Sequence, residues 1–178
     1  MKAKKIIKIV SITVLALVLA FMAVVGGYVA YVAIQYYRID DNIGLQIENP
    51  RENTVSAGAE YTLVSYNLGF GAYSPEYSFF MDTGVMKDGT EVYGKYAKGM
   101  SKSDVEKNVS GQLSVSKQLN ADFYFFQEVD EKADRSYKIN MLARAREAFS
   151  GYSSVYAENF HTANLFYPFS DPIGKTDA

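Results

Sequence analysis

Two side chains in this sequence pair oxygen chemistry with a telling position: Asn67, closing the stretch "YTLVSYN", and Glu128, following "ADFYFFQ". An amide oxygen and a carboxylate suit a hard divalent cation such as magnesium. That ion takes one or two carboxylates and fills its other positions with water and phosphate oxygens. It can stabilise charge on a phosphoryl oxygen and orient an attacking water. Asn67 could instead donate its amide hydrogens to the phosphate. The ordinary alternative stands beside this reading, since a glutamate leaving a strand is a solvated charge or a capping partner in most proteins.

Such a pair acts only if the chain brings it together. Tyr61–Asn67 has the β-branched and aromatic makeup of a buried strand, stopped by Gly69 and Gly71. Ser103 and Glu106 form a capping-box pattern, and Val105, Val109, Leu113 and Leu119 follow, so a helix is predicted over about 103–119. A strand over 122–127 comes next. Ile139, Leu142, Ala145 and Phe149 mark a second helix ending at Gly151, and "YSSVYAE" at 152–158 alternates as a strand. Strand, helix, strand, helix, strand is the order of an α/β layered domain. If the first two strands run parallel, Asn67 and Glu128 leave at the same sheet edge, where open α/β sheets bind ligands.

Composition narrows the chemistry. The chain has 178 residues, 48% hydrophobic, with no cysteine and one histidine, His161. That removes disulfides, thiolate metal sites, cysteine nucleophiles and any site needing two histidines. The formal net charge is −2. Lys2, Lys4, Lys5 and Lys8 precede the first apolar run, and the rest carries 14 positive against 20 negative side chains. An acidic body argues against a dominant nucleic-acid backbone footprint.

Ile9 to Ile34 contains no charged side chain, and a spanning helix needs about 20 apolar residues. Tyr28, Tyr31, Tyr36 and Tyr37 gather at its far end, as in an interfacial belt. The expected organisation is a basic cytoplasmic N-terminus over 1–8, a single-pass anchor over 9–34, a linker over 35–60 and an extracytoplasmic domain over 61–178. Cleavage after "YVA" (31–33) is the competing reading, though signal-peptide cores run ~7–15 residues.

"TLVSYNLGFG" followed by "ADFYFFQEVD" resembles the first two motifs of the endonuclease/exonuclease/phosphatase family. "NFHTANLFYPFSDPIGKTDA" is similar to a stretch of bacterial membrane-anchored members. The resemblance implies the N-terminal part of a four-layer α/β/β/α sandwich and metal-dependent hydrolysis of a phosphodiester or phosphomonoester. It implies Mg2+ or Mn2+ on Glu128, with Asn67 positioning metal and phosphate and Gln127 orienting Glu128. The family's later Gly-Asp-x-Asn and Ser-Asp-His motifs do not occur. The expectation is therefore a first half, inactive alone, whose partners are a phosphoester of unspecified class, the membrane, and a C-terminal half if the chain continues. A non-catalytic anchored α/β domain or an incomplete fragment is the alternative.

Other features have plainer readings. Tyr73, Tyr77, Phe79, Phe80, Tyr93 and Tyr96 are read as an insertion packing its own rings rather than a ligand wall. Lys87, Lys95, Lys98 and Lys102 are read as solvated, Arg144 and Arg146 as facing solvent, and His161 as a surface or structural residue. Asn108-Val-Ser110 fits a glycosylation pattern but falls within the predicted helix.

Overall fold

A computed structural model of the chain describes residues 2–52 and 54–178, the Lys2 side chain excepted. Two compact units divide at Tyr36–Tyr37. The first is one helix, α1 (Lys2–Gln35). Its apolar stretch, 33 residues from Ala3 to Gln35 with a mean hydropathy of 2.8 over its best window, has none of that window buried. By length and composition it can cross a membrane, and a signal sequence meets the same description.

The second unit, 37–178, mixes short strands and helices in the order β1 (Ile47–Glu48), β2 (Leu63–Asn67), β3 (Thr83–Val85), β4 (Glu91–Tyr93), α2 (Lys102–Gln118), β5 (Phe123–Gln127), α3 (Met141–Ala148), β6 (Ser154–Val155). The described residues form three separate two-stranded sheets. A sandwich of facing sheets is not formed among them. β2 and β5 run parallel, in a register that sets Asn67 opposite Gln127.

α2 starts earlier than predicted. Ser101 is its N-cap and accepts from the Asp104 backbone N–H at 3.1 Å, so Ser103 lies in the first turn. Glu106 reaches Arg144 on α3 at 3.4 Å instead of closing a capping box. Val105, Val109, Leu113 and Ser116 form the helix's buried stripe. α3 is shorter than its apolar pattern because Asn140 caps it, accepting from Ala143 N–H at 2.6 Å, which leaves Ile139 outside.

The predicted strand over 152–158 contracts to β6, which pairs antiparallel with β1. Part of the segment read as a linker is thus folded onto the domain. Asn49 reinforces the join, donating to the carbonyls of Ser150 and Tyr152 at 2.9 Å each. The long aperiodic stretch before α2 holds the β3–β4 hairpin.

Leu68, Phe70, Val105, Val109, Ile139, Met141 and Phe149 form the core, with Tyr124 and Phe126 of β5 packed against it. Alternation sends the other side chains of the β2–β5 sheet the opposite way. Leu63, Phe123 and Phe125 are 57%, 40% and 51% exposed there.

Candidate functional site

Because β2 and β5 are parallel and in register, their carboxyl ends coincide. The ladder continues past the strands: Leu68 N–H donates to the Gln127 carbonyl at 2.9 Å, and Phe70 N–H to the Glu128 carbonyl at 3.2 Å. These bonds clamp the two exits together. Asn67 Nδ2 then donates to Glu128 Oε1 at 2.8 Å, and Gly69 N–H donates to Asn67 Oδ1, also at 2.8 Å. The amide is held at both ends. It aims Glu128 and leaves Oε2 without a partner among these bonds.

The backbone contributes too. Glu128 sits at φ +54 and Phe70 at φ +42, in the left-handed region that costs a residue with a Cβ ~1–2 kcal/mol. Such positions persist where surrounding contacts over-determine them. Here the clamp is the Phe70–Glu128 backbone bond just described.

The Tyr73 ring packs beside this turn, where a Cβ on Gly69 would approach its Cδ2 to 2.5 Å. Burial raises the Tyr73 phenol above its ordinary pKa, and the carboxylates of Asp82 and Glu128 add to the shift.

Gln127 does not orient Glu128. Its Nε2 donates to the Phe125 carbonyl at 2.9 Å and to Ser65 Oγ at 3.3 Å, because alternation points it to the exposed sheet face. Arg146 departs from its solvent-facing reading: it lines a cleft of about 1210 Å³ with Asn67, Phe126, Glu128 and Tyr156, and its Nε is enclosed without a hydrogen bond. Arg144 pairs with Glu106. Lys98 pairs with Asp171 at 3.0 Å, and Asn108 donates to the Gly71 carbonyl at 2.9 Å, a packing role within α2. Phe70, Tyr73, Tyr77 and Phe79 meet edge to face, and Tyr77 stacks on Tyr96, so most of the insertion's rings pack together.

Sequence reasoning missed two clusters. Asp130, fully buried, takes a forked bond from Arg135, whose guanidinium stands 4.3 Å over the Phe70 ring. Glu158, His161 and Asp177 also converge. The i,i+3 spacing of Glu158 and His161 was visible, whereas Asp177 joins only through strand pairing.

Glu128, aimed by Asn67, presents a carboxylate oxygen of the kind that would hold a hard divalent cation. When bound, that ion would supply charge stabilisation at a phosphoryl oxygen. Compared with known proteins, the chain matches no family model, no curated protein and no solved structure.

Proposed function

We propose that this chain carries the metal- and phosphate-positioning edge of a divalent-metal-dependent phosphoester hydrolase, held outside the cell membrane by α1 as a single-pass anchor with its lysines on the cytoplasmic side. The observation that carries the reading is the Asn67–Glu128 hydrogen bond at the joint exit of two parallel strands. Glu128 holds Mg2+ or Mn2+, and Asn67 fixes the carboxylate. Because Asn67's oxygen accepts from Gly69, the residue acts as a positioning group toward the metal. The fold that goes with this reading is the N-terminal part of a four-layer α/β/β/α sandwich, in which the bare face carrying Leu63, Phe123 and Phe125 is the one a second sheet covers.

The test uses the native protein isolated from its source membrane. Mg2+-dependent hydrolysis of bis-p-nitrophenyl phosphate and p-nitrophenyl phosphate is expected, and Glu128→Gln is expected to abolish it. Unchanged turnover in that variant removes Glu128 from the mechanism.

The exposed apolar sheet face favours a second reading, a non-catalytic membrane-anchored domain that presents it to a partner. A native protein that hydrolyses neither ester at any Mg2+ or Mn2+ concentration supports that reading over the first.

A further inference from the structure

Residues 159–165 and 174–178 run antiparallel. Phe160 and Ala178 exchange both backbone hydrogen bonds at 2.9 Å, and Thr162 N–H donates to the Thr176 carbonyl at 2.9 Å. His161 and Asp177 are the opposed pair between these two. In antiparallel pairing such a non-hydrogen-bonded position brings side chains closest. Asp177 is fixed from behind as well, its carbonyl accepting from Glu131 N–H at 3.0 Å. Glu158, three residues before His161, extends its carboxylate to the same place.

The atoms converge without satisfying one another. His161 Nδ1 lies 2.8 Å from Asp177 Oδ1 and 3.6 Å from Glu158 Oε1. Yet Asp177 Oδ1 is enclosed and makes no hydrogen bond: the ring nitrogen is near it but does not aim at it. All three donor atoms lie within 4.8 Å of one another. Ligands about 2.1 Å from a tetrahedral ion are about 3.4 Å apart, and the two measured spacings fall on either side of that value.

The surrounding field has the sign a cation needs. The Glu158 and Asp177 carboxylates bring two negative charges to the His161 ring. The nearby cation, Lys175, is 3.6 Å from the other Asp177 oxygen, Oδ2, and its side chain is 46% exposed. It leaves Oδ1 available.

We propose that Glu158, His161 and Asp177 bind a divalent transition-metal ion of the zinc class, with water in the remaining position. One imidazole nitrogen with two carboxylate oxygens is a borderline donor set that suits zinc or cobalt. Magnesium prefers oxygen donors and keeps most of its water. The ion fastens the 158–161 segment to the 174–178 segment. The site uses none of the residues assigned to phosphoester chemistry, so it stands or falls independently of that assignment.

His161 is the sequence's one histidine, so its imidazole resonances in the tag-free, full-length protein report this site alone. Labelled with 15N-histidine in detergent micelles, the protein is expected to show a stoichiometric shift of the Nδ1 resonance on adding Zn2+. Co2+ is expected to give visible absorption bands that Zn2+ displaces and Mg2+ does not. Glu158→Gln, a change at a half-buried side chain, is expected to weaken Zn2+ binding at least ~10-fold, while Glu128→Gln leaves it unchanged. An imidazole resonance unmoved by saturating Zn2+ overturns the proposal. So does Zn2+ affinity that Glu158→Gln and Asp177→Asn both leave intact.

Discussion

Glu128 and Asp130 are carboxylates two residues apart on the segment leaving β5, and their surroundings differ in what they leave free. Glu128 is exposed, strained at φ +54, and held through one oxygen by the Asn67 amide. Asp130 is fully buried, with Arg135 Nε and Nη2 bonding both of its oxygens at 2.8–3.3 Å. One carboxylate is presented to whatever arrives at the sheet edge. The other is consumed in tying the β5 exit to the 134–136 turn and, through Arg135, to the Phe70 ring. Identical chemistry is left open or consumed according to whether its charge has been matched internally.

The sharpest way to break this comparison is to remove Asp130. Asp130→Ala leaves the Arg135 guanidinium buried without its partner and is expected to cost ~3–5 kcal/mol, read as a lowered melting temperature of the full-length protein in detergent. A melt displaced by under ~1 kcal/mol would show that the clasp is no more important than a surface pair. The double change Asp130→Leu with Arg135→Met is expected to recover much of the loss, because well-packed apolar groups can replace a buried pair.

A smaller effect concerns pH. Tyr156 has its folded pKa raised from 10.0 to about 12, by burial first. Below pH 10 the phenol is protonated whether the chain is folded or not, so this contribution is fully present. As pH rises from 10 toward 12 the unfolded chain loses the proton first, and stability falls. Burial also raises Tyr77, which acts in the same direction. Melting temperature followed from pH 9 to 12 should decline over that window, together with the phenolate absorbance at 295 nm; phenolate appearing well before unfolding would refute it.

Ser101→Ala removes the α2 cap and should cost about 1 kcal/mol, measurable in the same melts. Least affected should be the Glu128 variants. Glu128→Gln, which keeps an oxygen for Asn67 to bond, is expected to stay within ~0.5 kcal/mol of the parent. Glu128→Gly should stabilise by up to ~1 kcal/mol, since glycine occupies positive φ without penalty. A Glu128→Gln variant as destabilised as Asp130→Ala would erase the distinction between the two carboxylates.

Much of this was legible in the residues. The β-branched and aromatic runs ending at Asn67 and Gln127 located β2 and β5, and the spacing of Val105, Val109 and Leu113 located α2. Boundaries slipped where a local hydrogen bond overrode the pattern, as when Ser101 rather than Ser103 closed the first turn. Ile47–Glu48 gave no strand signal at all, because two residues form a strand only when another segment, here Ser154–Val155, is placed beside them. Gln127 and Arg146 were misread for the same reason: their roles depend on which face of an element looks at what.

The sequence by itself determined the apolar N-terminal helix, the parallel-capable strands and the identity of the oxygen donors at their ends. These follow from side-chain type and local period, which neighbouring residues carry. Only the tertiary structure decided that Asn67 bonds Glu128, that Asp130 is matched by Arg135, and that Asp177 faces His161. Each joins residues through strand register or packing, and the geometry of such a contact arises only when separate segments are fixed against one another.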